Sequence, residues 1–148
     1  MSTRASAQKA AADNGGIGKS DINGRVLVDT CGWVDFLRSG NGSLGDQVER
    51  AMVEDRACLC SVSVAELLQG VKGQKEKRQL EMLFDTVPLL NVEPADWLSA
   101  GLALQTLRSQ GSQIPLTDAL IAAVAIRHSL PVLTVDKHFA HLGVTVLG

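Results

Sequence analysis

Apolar residues in this chain occur in two patterns, short unbroken runs and longer stretches with helical spacing. The run Val26–Val28 has three consecutive aliphatic residues, which is typical of a strand buried on both faces of a parallel sheet. A later stretch has the i, i+3, i+4, i+7 spacing of an amphipathic helix, at Val64, Leu67, Leu68 and Val71. The two patterns alternate along the chain, which indicates an α/β protein.

Strands and helices follow one another in regular order from residue 25 onward. Strands are predicted at 26–28, 57–61, 87–92, 131–135 and 144–147, the last at an edge of the sheet. Helices are predicted at 33–37, 44–54, 64–71, 75–84, 94–111 and 118–129, with Thr117 as the N-cap of the last one. That last helix is apolar on nearly every side, so we expect it to be buried. This order predicts a three-layer α/β/α sandwich with a mostly parallel central sheet.

The first 24 residues differ in composition from the rest of the chain. They are rich in Ala, Gly, Ser and Asn and show no apolar period, which predicts a flexible N-terminal extension over residues 1–24. Residues 15–20 resemble a phosphate-binding loop only in part, because Asp13 occupies the position of the required first glycine. Residues 25–148 are long enough to form one domain with a substantial core.

Charge and cysteine content narrow the classes of function. The net charge of −2 excludes a broadly electropositive surface, so any nucleic-acid binding depends on a local basic patch or on bound metal. Cys31, Cys58 and Cys60 lack the spacing of a zinc site, and we expect reduced thiols in a cytoplasmic protein. No apolar run approaches the roughly 20 residues that span a membrane, so no membrane partner is expected.

Four acids follow buried elements of this predicted fold. Asp29 and Asp136 come at the carboxyl ends of strands, Glu66 lies one turn into the helix after the second strand, and Asp118 lies in the first turn of the buried helix. Parallel topology brings the carboxyl ends of strands to one edge of the sheet, where ligands bind in such folds. Crowded carboxylates repel one another, and a hard divalent cation such as Mg²⁺ or Mn²⁺ relieves the repulsion.

Each acid also has a structural explanation of its own. Asp29 suits the cap of the next helix, Asp118 suits the positive end of a helix dipole, and Asp136 suits a turn. Glu66 faces away from the apolar stripe of its helix, so by itself it is better explained as solvated. The remaining acids considered are interpreted as solvated surface residues: Asp35, Asp46, Glu49, Glu76, Glu81, Asp85 and Asp96.

Four segments in order resemble a PIN-domain protein, and more closely a VapC-type toxin of a bacterial toxin–antitoxin pair. The segments are VLVDTCGWVDFL from residue 26, SVAELLQG from residue 63, TDALIAA from residue 117 and LTVDKHF from residue 133. The resemblance implies an α/β/α fold, an Mg²⁺-dependent endoribonuclease in which Mn²⁺ can substitute, inhibition by a VapB-type antitoxin, and a homodimer. It assigns the family's catalytic and metal-binding acids to four positions: Asp29, Glu66, Asp118 and Asp136.

Two hydroxyl residues and two departures from the family pattern concern the surroundings of these acids. Thr30 and Thr134 are expected to support the acids, Thr134 by matching a hydroxyl often found near the last one. Cys31 stands where Ser or Asn is common, which weakens a polar contact. His138 stands where many relatives carry an acid, which makes a second metal site poorer. The histidines are not expected to belong to the converging set.

Partner contacts are assigned more weakly. A basic cluster after Glu66 is either a solvated helix face or a grip on RNA phosphates, and it contains Lys72, Lys75, Lys77 and Arg78. Trp33, Phe36 and Leu37 are either core residues or part of a groove for an antitoxin helix.

Two other classes of protein that use acids after a first strand require residues that this sequence lacks. A haloacid-dehalogenase-type phosphatase needs a second Asp at position 31, where Cys31 stands, and a receiver domain needs a pair of acids after its first strand. A housekeeping RNA-processing PIN nuclease and a catalytically silent RNA- or protein-binding PIN module stay open. A small antitoxin gene next to this one separates the toxin from the housekeeping nuclease, and loss of RNA cleavage in Asp29→Asn separates an enzyme from a silent module.

Overall fold

The structure is a computed structural model that describes residues 24–38 and 42–148. The predicted extension over residues 1–24 lies outside these residues except for Gly24. The strands are β1 (Val26–Val28), β2 (Ala57–Cys60), β3 (Leu89–Leu90), β4 (Val132–Leu133) and β5 (Val146–Leu147). The helices are α1 (Thr30–Leu37), α2 (Ser43–Val53), α3 (Ser61–Gln69), α4 (Gln74–Thr86), α5 (Pro94–Ser109) and α6 (Leu116–Arg127), with a 3₁₀ helix at Lys137–His141.

The five strands form one parallel sheet in the order β3-β2-β1-β4-β5. The central strand is β1, in which Leu27 pairs with Cys58 of β2 on one side and with Val132 of β4 on the other. The predicted parallel α/β sheet and the edge position of the last strand are therefore confirmed. The carboxyl ends of all five strands lie at one edge.

Alternate residues of the buried strands face two separate cores. Leu27 packs in the core beneath α5 and α6, together with Ile121 and Phe139. Val26 and Val28 pack in the opposite core beneath α1, α2 and α4. Because successive strand residues point to opposite faces, a strand between two cores must be apolar at every position. This is the physical reason for the unbroken aliphatic run that opens the domain.

Helix α6 starts two residues earlier than expected. Pro115 is the N-cap residue, with φ of −59°, and its carbonyl accepts a hydrogen bond from Ala119 N at 3.2 Å. The prediction of Thr117 as N-cap is therefore wrong, because the helical residues already begin at Leu116, directly after the extended backbone of Pro115. The expected burial of this helix is confirmed from Asp118 to Ala125.

Helix α1 packs very closely on β1 through Gly32. A Cβ atom at this position would lie 2.7 Å from Val28 Cγ1, so only glycine allows this approach. The close contact sets the position of the first turn of α1 relative to the end of β1, where Asp29 and Thr30 lie.

Two acids interpreted as solvated surface residues are instead bonded into the fold. Asp96 is 2% exposed and accepts hydrogen bonds from Arg127 Nη2 and Glu93 N, both at 2.8 Å. Burial alone would raise the pKa of Asp96, but the hydrogen bonds and positive charge of Arg127 hold it below its usual value. Asp35 accepts a hydrogen bond from Gly45 N at 2.7 Å. The surface interpretation was wrong here because Arg127 and Gly45, which bond to these two acids, lie 31 and 10 residues away in sequence.

No helix among the described residues is long and apolar enough to cross a membrane.

Trp33 is a core residue, which corrects the expectation that it lines an antitoxin groove. Its side chain is 0% exposed and packs in the core that contains Val28 and Val48. We therefore expect Trp33→Ala to lower the free energy of unfolding by about 3–5 kcal/mol, the usual cost of emptying a large aromatic site. Chemical denaturation in dilute solution measures the change.

Trp97 is the matched control, because it is the other of the two tryptophans and its side chain is 54% exposed. Trp97→Ala is expected to cost less than about 1 kcal/mol. Equal losses in the two variants would contradict the assignment of Trp33 to the core.

Candidate active site

Asp29 ends β1 and caps α1 with the same side chain. Its Oδ1 accepts a hydrogen bond from Thr30 N at 2.7 Å, and its carboxylate is almost completely buried, with the residue 3% exposed. The expected capping role and the placement at the carboxyl edge of the sheet are thus both present. The acid is held rigidly at the centre of that edge because β1 is the central strand.

The hydroxyl group of Thr134, the residue directly after β4, holds the other oxygen of Asp29. Thr134 Oγ1 donates to Asp29 Oδ2 at 2.8 Å and accepts from Asp136 N at 2.9 Å. Cys31 Sγ donates to the same Oδ2 at 3.2 Å. The thiol thus makes the polar contact at this position, although sulfur is a weak donor. Together these bonds fix the turn that carries Asp136 to the end of β1.

Burial is the largest influence on Asp29, and it raises the pKa of this carboxyl group above its usual value. Hydrogen bonds from Thr134, Cys31 and Thr30 oppose the rise in pKa, and the negative charge of Asp136 adds to it. The side chain therefore costs free energy when it is ionised without a cation nearby.

Glu66 is attached to α1 by a relay of hydroxyl groups. Thr30 Oγ1 donates to Glu66 Oε1 at 2.6 Å and lies 2.8 Å from Ser63 Oγ. The single O–H of Thr30 donates to the carboxylate, so the hydroxyl group of Ser63 must be the donor in its hydrogen bond with Thr30. Ser63 is fully buried and was not predicted. Its signal in the sequence is its position three residues before Glu66, on the same helical face.

A third cluster of side chains at this edge combines two acids with a histidine. His138 Nδ1 lies 2.9 Å from Asp118 Oδ2 and 3.2 Å from Asp136 Oδ1. One ligand atom from each of these three residues lies within 4.8 Å of the others. The expectation that the histidines stand apart from the acids is therefore wrong for His138. Asp136 caps the 3₁₀ helix by accepting from His138 N at 2.9 Å, and this turn brings the ring back beside the acids.

Burial and neighbouring negative charges disfavour the ionised form of Asp118. Burial is the first cause of the raised pKa of Asp118, and the charges of Asp29 and Asp136 raise it further, against a hydrogen bond from His138 that lowers it. The hydrogen bond to Asp118 is the first cause of the raised pKa of His138. Oxygen-rich, negatively charged and partly buried, the donor set fits a divalent cation.

The predicted partner residues separate into two groups. A cleft of about 540 Å³ beside Glu66 is lined in part by Leu37, Val71, Lys72 and Lys75. Lys77 and Arg78 are exposed on α4, and Phe36 is half-buried with an edge contact to Trp33 at a ring separation of 6.3 Å. Basic and apolar side chains therefore meet in one cleft that opens beside an acid of the site.

Comparison with known proteins gives the family. The profile of the PIN domain matches residues 26–144. VapC ribonuclease Mb1587 of Mycobacterium bovis and Ribonuclease VapC11 of Mycobacterium tuberculosis are each 31% identical over 118 residues, covering 77% of this chain and 88% of theirs. The chain belongs to the PIN-domain family. Within that family it is similar to the VapC ribonucleases, as these two relatives show.

Solved structures agree with this fold. VapBC from Salmonella typhimurium, in a DNA-bound crystal structure, matches with a TM-score of 0.71 at 17% identity over 83% of this chain and 96% of that chain. FitAcB from Neisseria gonorrhoeae matches with a TM-score of 0.68 at 24% identity over 83% of this chain and 96% of that chain. At these identities the likeness establishes the fold.

The raised pKa of Asp118 leads to a prediction about stability. Because folding raises this pKa, the ionised carboxylate destabilises the metal-free protein, and Asp118→Asn should raise its melting temperature at neutral pH by about 2–4 °C. The advantage should vanish as the pH falls below about 4, where the carboxyl group of the unmodified protein is also neutral. Calorimetry in EDTA measures both values.

The same variant should gain less from added Mg²⁺ than the unmodified chain, because a ligand that binds only the folded state raises its melting temperature. A lower melting temperature of Asp118→Asn in EDTA at neutral pH would contradict the electrostatic assignment.

Proposed function

We propose that this protein is a metal-dependent endoribonuclease and the toxin of a toxin–antitoxin pair. The observation that supports it best is the hydrogen-bonded frame at the carboxyl edge of the sheet. In that frame Thr134 joins Asp29 to the turn of Asp136, and Thr30 joins the start of α1 to Glu66. The names of the curated relatives, which are VapC ribonucleases, supply the substrate class.

The proposed metal ligands are Asp29, Glu66, Asp118 and Asp136, with Mg²⁺ as the ion and Mn²⁺ able to substitute. A bound divalent ion supplies a nucleophilic water at neutral pH and neutralises charge on a phosphoryl oxygen. Thr134 and Thr30 orient the carboxylates, since each hydroxyl donates its one proton to an acid.

The exposed lysines beside Glu66 give the RNA strand its path to these acids. Lys72 and Lys75 line the cleft next to Glu66, and their ammonium groups can contact consecutive phosphates. Lys77 and Arg78 extend the positive surface along α4. Affinity for RNA should therefore fall with rising salt, as it does wherever phosphate contacts supply the binding energy.

Asp29→Asn tests the enzyme directly. We expect Mg²⁺-dependent cleavage of RNA to fall by more than about 100-fold, because even outer partners of a bound metal contribute 10–100-fold. The unmodified protein should give 5′-phosphate and 3′-hydroxyl ends and should stop in EDTA. Sequencing of the RNA ends and a gel assay measure these outcomes.

Asp46→Asn is the control for this experiment, since Asp46 is exposed on α2 and has the same chemistry. Undiminished cleavage in Asp29→Asn would refute the assignment. A 2′,3′-cyclic phosphate product would point instead to attack by the RNA 2′-hydroxyl group, a mechanism in which the acids are structural.

We propose that a VapB-type antitoxin covers the cleft beside Glu66. Solved neighbours of the same fold include complexes named VapBC and a toxin–antitoxin complex from Klebsiella pneumoniae. In this chain Leu37 and Val34 line the cleft, whereas Trp33 is buried beneath them. Of the three residues expected to contact an antitoxin, Leu37 is thus the one that lines the cleft, and the lysines suit an acidic partner segment.

Leu37→Glu should weaken the complex with an antitoxin encoded beside the gene by about tenfold or more, or ~1.4 kcal/mol. Met82→Glu is the matched control, because Met82 is an exposed apolar residue on α4 that does not line the cleft. Titration calorimetry measures both affinities. Equal affinities for the two variants would exclude the cleft, and the absence of any adjacent antitoxin would favour a housekeeping RNA-processing nuclease.

A homodimer is the further assembly that we propose. Helix α5 leaves a contiguous apolar face exposed, with Trp97, Leu98 and Leu102. Patches of this kind on a folded domain mark interaction surfaces. The face lies on a different helix from those that line the cleft, so both partners can bind at once.

A further inference from the structure

We propose that Nδ1 of His138 is a metal ligand together with Asp118 and Asp136, and that it gives the site selectivity for a first-row transition ion over Mg²⁺. The inference rests on the proposed metal-dependent function and concerns only the ion that serves it. The ligand set is then two carboxylates and one imidazole, which differs from a purely carboxylate site.

The separations between the donor atoms suit one shared ion. His138 Nδ1 lies 2.9 Å from Asp118 Oδ2 and 3.2 Å from Asp136 Oδ1. Ligands about 2.1 Å from an octahedral ion lie about 3 Å apart at adjacent positions. The two distances from Nδ1 therefore match the spacing of adjacent positions in such a polyhedron, and the three donor atoms all lie within 4.8 Å of one another. One ion bound to them has its other positions left for water and a phosphate oxygen.

The ring of His138 is held in this position by the backbone. His138 N donates to Asp136 Oδ1, which fixes the turn, and the next residue, Phe139, is fully buried in the core beneath α6. Asp118 is presented from α6 and lies beside the same ring nitrogen. The side chain of His138 is 42% exposed, so a hydrated ion can reach it without any movement of the fold.

The nature of the donor determines the selectivity. Imidazole suits Fe²⁺, Ni²⁺, Cu²⁺ and Zn²⁺, and Mn²⁺ is the most weakly bound ion of this transition series, whereas Mg²⁺ prefers carboxylate and water oxygens. A site with His138 as a ligand should therefore lose affinity for transition ions when the ring is removed and change little toward Mg²⁺. A ring that only forms an ion pair with the two acids predicts the same change for both ions.

The experiment uses the full chain with Mn²⁺ alone and Mg²⁺ alone as probes. Pulsed electron paramagnetic resonance of the Mn²⁺-loaded protein should show coupling to a nitrogen nucleus, and His138→Gln should abolish it. Titration calorimetry should show that Mn²⁺ binds His138→Gln about tenfold more weakly, with affinity for Mg²⁺ changed by less than about twofold. His138→Asp should lose the nitrogen coupling and bind Mg²⁺ more tightly.

His141→Gln is the matched control, because His141 is an exposed histidine of the same 3₁₀ helix. It should keep both the nitrogen coupling and the affinity for Mn²⁺. Bound Mn²⁺ without nitrogen coupling would overturn the proposal and leave the carboxylate nuclease standing. Failure of both ions to bind the unmodified chain would overturn the proposed function itself.

Discussion

The hydroxyl group of Thr134 connects the carboxyl ends of β1 and β4, where the candidate active site lies. Thr134 donates a hydrogen bond to the buried carboxylate of Asp29 and accepts one from the backbone N–H of Asp136. Removing water from Asp29 is unfavourable for its charge, and these bonds recover part of that free energy. The contact also fixes the start of α1, because Asp29 is the N-cap residue of that helix.

The same edge shows a conflict between stability and function. The pKa of Asp29 and the pKa of Asp118 are both raised, first of all by burial, so the folded chain holds negative charge that it would more easily hold unfolded. Sites that bind cations commonly store such repulsion, since the ion is then bound with greater gain. His138 partly relieves it, as its hydrogen bond lowers the pKa of Asp118.

Sequence reasoning succeeded where local pattern decides structure. The aliphatic run of β1 is explained by the two cores, and the apolar character of α6 is explained by its burial in one core, where it packs with residues of the sheet and of α5. The acid after β1 lies where the topology requires. It failed where a partner from a distant element decides. Asp96 is buried because Arg127 lies 31 residues away in sequence and beside it in space. The ring of His138 lies beside the acids because the 3₁₀ helix turns the chain back toward them. The spacing of apolar residues does not predict a turn of this kind.

The bond between Thr134 and Asp29 joins residues 105 positions apart in the chain. Its consequence concerns biosynthesis. A ribosome releases residues from the amino terminus onward, so β1, α1 and α3 leave the exit tunnel long before β4 can pair with β1. Until then Asp29 lacks Thr134, and neither Asp136 nor His138 has been delivered. A nascent chain therefore carries an incomplete edge until residues 134–138 have emerged and β4 has paired with β1. The order of synthesis thus delays assembly of the candidate active site until well after Asp29 and Glu66 have been made.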